Sequence, residues 1–312
     1  MKVAAVDIGT NTVRLLLADA VVANGTVELN DVARYEVITK LGEGLDGSGR
    51  LGEAPMERAL AGLAHYAGLI SDAGVASAGG VATAATRNAV NGPEFAVRIA
   101  DVLGFAPKVI DGVEEAKLTF HGATEHLAGD DVYCVIDVGG GSTEFVTGHS
   151  DPEYVVSVDV GSVLLTDRIE KLGLVDTDAI RRYVDGLFAD VSPPVAPGVV
   201  LGSGGTFITL AAVARDISSD EDEIAGLSMT MEEVGTTVDF IAALTPEQLA
   251  ALPGVKPDRA PVLRAGVICA ERAVARVGAA LVRVSVSDIL DGVAIELGVG
   301  RWPAWPSPDT TV

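Results

Sequence analysis

Two segments of the sequence carry chemistry-bearing residues at one shared spacing, Val3-Ala-Ala-Val-Asp-Ile-Gly-Thr-Asn-Thr-Val-Arg14 and Val135-Ile-Asp-Val-Gly-Gly-Gly-Ser-Thr-Glu144. Each is an apolar run that meets an aspartate and enters a turn rich in glycine and hydroxyl residues. Aligned on the acid, Asp7 falls on Asp137, Gly9 on Gly139, Thr12 on Ser142 and Arg14 on Glu144, which reads as an internal duplication. Glycine reaches backbone angles that set successive N–H groups on one concave side, where they bind phosphate oxygens with little help from side chains. Gly9, Thr10, Asn11 and Thr12 in the first turn, and Gly139, Gly140, Gly141, Ser142 and Thr143 in the second, are therefore candidate phosphate ligands. Asp7 and Asp137 are of the type that holds a divalent cation, usually through water. Tight hairpins use the same residue types, but two Asp-x-Gly turns, each between an apolar strand and a second strand, favour the phosphate reading.

Composition bounds the partners. The chain has 312 residues, 48% hydrophobic and 21% charged, which suits about two ordinary globular domains. A net charge of −22 excludes a nucleic-acid surface, which needs a basic face to neutralise backbone phosphates. A polyanionic ligand would thus be held by metal ions and a few well-placed basic side chains. Cys134 and Cys269 lie in apolar runs and read as buried free thiols in a reducing compartment. No apolar run reaches the roughly 18 residues that span a bilayer, and the N-terminus runs straight into a strand without a signal pattern. The expectation is a cytoplasmic protein with no membrane partner.

The elements that must position these residues alternate between strand and helix. After the first hairpin, residues 27–38 read as another strand and residues 41–52 as a glycine-rich loop, too mobile for core and able to cover a ligand. A helix from Pro55 to about Ser71 follows, then a strand near 80–83, a turn carrying Arg87 and Asn88, a helix over 93–103, a short strand at 108–110 and a helix opened by Asp111. The second half repeats the plan, with strands near 133–136, 143–147, 154–158, 198–201 and 281–286, and a third glycine turn, Gly202-Ser-Gly-Gly-Thr206, opening a helix. The acidic run 218–223 reads as a solvated loop and not as a metal site. The hinge is expected at 123–131, a proline-stiffened connector at 193–197, and an irregular, loosely docked tail from Arg301 that carries Trp302 and Trp305. The fold class is α/β, with a mixed sheet flanked by helices in each half.

Five motifs in order, Asp7-Ile-Gly-Thr-Asn-Thr-Val-Arg14, Ala82-Thr-Ala-Ala-Thr-Arg87, Gly112-Val-Glu-Glu-Ala116, Asp137-Val-Gly-Gly-Gly-Ser-Thr-Glu144 and Gly202-Ser-Gly-Gly-Thr206, cover nearly the whole chain. By them it resembles a short member of the exopolyphosphatase and guanosine pentaphosphate phosphatase family, within the actin-like ATPase clan. The resemblance implies two actin-like, ribonuclease H-like domains around an inter-domain cleft, at residues 1–126 and 127–312, with the last helix a candidate to return to the N-terminal domain. It implies metal-dependent hydrolysis of a terminal phosphoanhydride, with Mg²⁺ or another divalent cation as cofactor. Glu115 then falls at the family's catalytic base; on physical grounds alone, a Glu in the first turn of a helix is a partner of the helix dipole. Asp137 and Glu144 match the acidic positions assigned to the cation, and Glu144 also reads as a hairpin partner. Asp7 joins them as a cation ligand, Arg87 matches a phosphate-binding arginine or reads as a surface ion pair, and Gly204 and Gly205 join the phosphate ligands. Arg14 reads equally as an ion-pair partner and as a ligand contact.

Two departures bear on substrate. Relatives carry a Gly-Leu-Arg-Glu-Gly-like turn before the last helix where this chain has Ser287-Asp-Ile-Leu-Asp-Gly292, and longer relatives append helical domains this sequence lacks. The first leaves the basic contact of that turn open; the second leaves less surface to grip a long polymer, so weak processivity and a preference for shorter chains are expected. The leading reading is release of the terminal phosphate from inorganic polyphosphate, with guanosine pentaphosphate the alternative substrate, a non-catalytic ATP-binding sensor or scaffold the rival from another class, and a sugar kinase the least favoured. A homodimer is the expected assembly.

Overall fold

The computed structural model describes residues 1–23, 26–127, 131–193 and 196–302. Parts of the expected hinge and proline connector, and the tail with Trp305, lie outside the described residues. The elements run β1 (Lys2–Ile8), β2 (Thr12–Ala23), β3 (Thr26–Ile38), α1 (Leu45–Ser48), α2 (Glu53–Ala73), β4 (Ser77–Ala82), α3 (Ala84–Asn88), α4 (Gly92–Leu103), β5 (Lys108–Val109) and α5 (Gly112–Thr124). They continue with β6 (Tyr133–Val138), β7 (Thr143–Gly148), β8 (Pro152–Val158), α6 (Ser162–Leu172), α7 (Thr177–Leu187), β9 (Val199–Ser203), α8 (Gly205–Arg215), α9 (Glu221–Ile224), β10 (Ser228–Thr230), α10 (Met231–Ala242), α11 (Pro246–Ala250), α12 (Ala260–Arg276), β11 (Leu281–Val284) and α13 (Ile289–Gly298). Among the described residues no helix is long and apolar enough to cross a membrane.

The chain divides into two compact units, one of Met1–His126 with the segment from Ile289 onward, the other Leu127–Asp288. In the first, the sheet order is β3-β2-β1-β4-β5, with β1, β2 and β3 antiparallel and β4 and β5 parallel to β1. Strand β1 is covered on both faces, as its nearly unbroken apolar run requires. Ala4, Val6 and Ile8 pack with Leu63 and Tyr66 of α2 and Phe95 and Ile99 of α4. Val3 and Ala5 pack with Leu118 of α5 and Leu290, Val293 and Ala294 of α13. Asp7 follows Val3 and Ala5 at period two, so it lies on the face that α5 and α13 cover.

The second unit repeats this order as β8-β7-β6-β9-β11, with β10 added antiparallel at the far edge. Two mixed sheets with flanking helices, each in the ribonuclease H-like strand order, make this a duplicated actin-like fold. Its core gathers Cys134, Ile136 and Phe145 from the sheet with Phe188, Phe207 and Cys269 from the helices. Both cysteines are free and buried.

The glycine-rich segment 41–52 departs from the expectation of a mobile cover. Leu41 and Leu51 are buried in the first core, the Gly42 N–H donates to the Thr10 carbonyl at 2.8 Å, and the Val90 N–H donates to the Gly49 carbonyl at 2.9 Å. Two apolar anchors and a turn of helix, α1, outweigh the glycine count. The expected turn at Arg87 is the short helix α3, and the acidic run contributes α9. Trp302, expected in a loose tail, packs against Gly79 of β4, with the Lys108 ammonium 5.9 Å from its ring centre.

Candidate functional site

In the first unit the turn between β1 and β2 closes with the Gly9 N–H donating to the Thr12 carbonyl at 2.9 Å. The Asn11 carbonyl accepts from the N–H groups of Thr39 and Lys40 at 2.8 and 2.9 Å, beside the Gly42 bond to Thr10. Because a trans peptide sets C=O and N–H on opposite sides, fixing the Thr10 and Asn11 carbonyls toward 39–42 turns the Asn11 and Thr12 N–H groups the other way. Thr10 and Asn11 are buried, and Thr10 Oγ1 and Asn11 Oδ1 have no hydrogen-bond partner among the described residues. Buried polar atoms of this kind signal an external partner. Asp7 pairs across the hairpin with Arg14, whose Nε and Nη2 donate to Oδ2 at 3.0 and 2.8 Å. Arg14 thus supplies at Asp7 the positive charge that the sequence reading assigned to a cation.

Two further candidates meet in this unit. Helix α5 is capped by the Asp111 side chain, which accepts from the Glu114 N–H at 2.8 Å. Glu115, in its first turn, takes Arg87 Nη1 of α3 on Oε2 at 3.3 Å, and the same Nη1 donates to the Ile110 carbonyl at 2.9 Å. Glu114 turns to Lys108, a pairing the sequence reading did not foresee.

The second unit builds its turn on the same plan. The Gly139 N–H donates to the Ser142 carbonyl at 3.0 Å, matching Gly9 and Thr12. The Gly139 carbonyl accepts from the Ser162 N–H at 2.9 Å, and the Gly140 carbonyl from Val163 and Leu164 at 2.9 and 3.1 Å. The N-terminus of α6 therefore does here what 39–42 does in the first unit, and the Gly140 and Gly141 N–H groups are turned away from it. Gly161 is required at this approach, since a Cβ there would fall within 2.6 Å of the Gly140 carbonyl carbon. Ser142 and Thr143 are buried, and the Thr143 hydroxyl faces the core, donating to the Val160 carbonyl at 2.6 Å beside the Cys269 sulfur at 3.3 Å. Burial, with the nearby Glu144 charge, pushes the Cys269 thiol up to about 12.

Asp137 sits directly across from Glu144, as Asp7 does from Arg14. Glu144 is buried and accepts from the Ser157 hydroxyl on Oε1 at 2.7 Å. Gly204 has φ 85°, a conformation that favours glycine, and a Cβ there would stand 2.7 Å from Asp137 Oδ1. Gly205 opens α8 under the Arg259 guanidinium, a basic group that the linear motifs did not single out. Among the described residues no three His, Cys, Asp or Glu side chains gather at metal-binding distance. Two carboxylates on one sheet still fit a small hard cation, because Mg²⁺ keeps several waters and takes one or two carboxylates with substrate phosphates.

Comparison with known proteins places the chain. The Ppx/GppA phosphatase family profile matches residues 20–297. The chain belongs to the Ppx/GppA phosphatase family. Among Ppx/GppA relatives, Exopolyphosphatase 2 of Mycobacterium tuberculosis is 34% identical over 313 aligned positions, covering 95% of this chain and 98% of the relative. The crystal structure of an exopolyphosphatase-like protein aligns at TM-score 0.87 and 28% identity over 97% of this chain and 100% of that one. The Ppx/GppA enzyme of Aquifex aeolicus aligns at TM-score 0.77 and 28% identity over 95% and 99%.

Proposed function

We propose that this chain is an exopolyphosphatase, a hydrolase that removes the terminal phosphate of inorganic polyphosphate. The observation that carries the reading is the Arg87–Glu115 ion pair, which unites a proton acceptor and a phosphate-binding guanidinium in one unit. In the reaction, water adds to the terminal phosphorus, its proton goes to Glu115, and the bond to the bridging oxygen breaks, giving orthophosphate and a chain shorter by one phosphate. A positioned base of this kind contributes roughly 10²- to 10⁴-fold in rate. Arg87 grips the terminal phosphate oxygens, for which its planar fork is suited. In each unit the backbone N–H groups of the glycine turn are donors suited to phosphate oxygens, and in the first the Thr10 and Asn11 side chains add to them. Asp137 and Glu144 would hold a divalent cation, Mg²⁺ in the first instance, which when bound offsets phosphate charge. Inorganic polyphosphate is the substrate; guanosine pentaphosphate offers the same terminal group. The free buried thiols suit a cytoplasmic setting.

The test is orthophosphate release from polyphosphates of several lengths, from guanosine pentaphosphate and from ATP, with Mg²⁺ and with a chelator. The expected result is chelator-sensitive release from polyphosphate, lowered about 10²- to 10⁴-fold in Glu115→Gln with polyphosphate binding retained. Release from ATP alone would overturn the substrate. Full activity in Glu115→Gln would remove the assigned base.

A further inference from the structure

The strand register of the second unit sets four side chains in one row across four neighbouring strands. Asp137 of β6 is paired with Ser203 of β9 on one side and with Glu144 of β7 on the other, and Glu144 is paired with Ser157 of β8. Residues directly opposite in a sheet point to the same face, so the row reads Ser203, Asp137, Glu144, Ser157. Its centre is two carboxylates on adjacent strands, an arrangement that like charges oppose. Ser157 fixes one of them through the 2.7 Å bond to Glu144 Oε1. Ser203 is fully buried at the other end, and its hydroxyl has no hydrogen-bond partner among the described residues. A buried hydroxyl left unpaired beside a carboxylate pair is costly, and it points to something that binds there.

The equivalent row in the first unit differs at the positions of Glu144 and Ser203. There β4, β1, β2 and β3 contribute Val81, Asp7, Arg14 and Glu36 in the same register. Arginine takes the place of Glu144 and binds Asp7 directly, and valine, which has nothing to satisfy, takes the place of Ser203. The first row sets an arginine beside its aspartate, whereas the second sets a glutamate there and ends on the unpaired Ser203 hydroxyl.

We infer that Ser157 and Ser203 are positioning residues of a cation site on the second unit: Ser157 orients Glu144 beside Asp137, and the Ser203 hydroxyl hydrogen-bonds the water shell of a divalent cation held by the two carboxylates. This rests on the reading of Asp137 and Glu144 as cation ligands. Partners that orient a ligating carboxylate typically change metal affinity about 10- to 100-fold when removed.

The experiment titrates the full chain with Mn²⁺ as probe, following the free ion by electron paramagnetic resonance, and records thermal unfolding of the metal-free protein. Ser157→Ala is expected to weaken Mn²⁺ binding about 10-fold or more, and Ser157→Thr, which keeps the hydroxyl, to restore it. Ser203→Ala is expected to weaken Mn²⁺ binding while raising the metal-free unfolding temperature, because the unpaired hydroxyl is gone. A purely structural role would not separate those two effects in that direction. Mn²⁺ affinities of Ser157→Ala and Ser203→Ala equal to that of the wild type, or no Mn²⁺ uptake by the wild type, would overturn the inference. Phosphate release from polyphosphate on the same samples separates the two failures. Wild-type turnover with unaltered Mn²⁺ binding in both variants discards the row and keeps the proposed function; Mn²⁺ binding through the row without phosphate release does the reverse.

Discussion

A proton acceptor works only where it is held, and Glu115, the proposed base, is held twice, through its backbone by the first turn of α5 and through its carboxylate by Arg87. Arg87 is in turn fixed by the Ile110 carbonyl, so guanidinium and carboxylate share one frame. Lysine at 87 keeps the charge but cannot serve the carbonyl, the carboxylate and a phosphate with one planar group. Arg87→Lys is therefore expected to lower kcat/KM for polyphosphate about 10- to 100-fold, against a larger loss in kcat for Glu115→Gln, as steady-state kinetics will show. The thiols give a second prediction at this scale. Burial holds both Cys134 and Cys269 up at about 12, so the folded state keeps them protonated where an unfolded chain ionises them. A raised folded value means stability that is whole below the unfolded thiol range, near 8.5, and is lost as pH rises from there toward 12. Native protein should leave a disulfide reagent such as DTNB unreacted at pH 8, with both thiols reacting in denaturant. Fast reaction of a thiol in the native state would contradict the burial.

At the scale of elements, the approach of α13 to α5 decides where Glu115 sits. Gly292 of α13 lies directly on the carbonyl of Leu118, one turn beyond Glu115, and a Cβ there would occupy the carbonyl's own space. Gly292→Ala must push the helices apart at a cost of about 1–3 kcal/mol, lowering the unfolding temperature by several degrees and reducing turnover as α5 shifts. Gly68 of α2 is the counter-case, with open space around it and an ordinary helical backbone. Gly68→Ala should stabilise by about 0.5–1 kcal/mol with turnover unchanged. The contrast also marks what the sequence could reveal. Apart from β10 and the short helices α1, α3 and α9, the strand and helix order of both halves was legible from apolar period and turn residues, and the positions of the hairpin turns from their glycines. The loop at 41–52 was misread because composition counts glycines while packing follows Leu41 and Leu51. Ser157, Ser203 and Arg259 went unnoticed because their neighbours come from cross-strand register or a distant helix, and neither is written in local spacing. Ser157 was within reach, since placing strands 143–147 and 154–158 as a hairpin would have set it opposite Glu144.

For the whole molecule, the duplication survives as geometry more than as sequence. Both units keep the same strand order, the same turn hydrogen bond and an acid facing the same position on the next strand, yet one row became Asp–Arg and the other Asp–Glu. The first sets a basic group beside its acid and the second a further acid, so whatever positive charge meets the substrate is local. Around it the chain carries a net −22, which repels a polyanion over distances set by the screening length. That length falls from about 30 Å at 0.01 M salt to about 8 Å at 0.15 M, while contacts of 3 Å hardly feel the change. Raising monovalent salt through this range at fixed saturating Mg²⁺ should therefore lower KM for polyphosphate, the opposite of an enzyme that collects its polymer on a basic surface. Initial rates across a salt series will decide it, with choline chloride as the salt so that the added cation stays out of the carboxylate pair. A KM that climbs steadily with salt would mean that long-range attraction dominates after all, and that a basic path along the chain outweighs its overall charge.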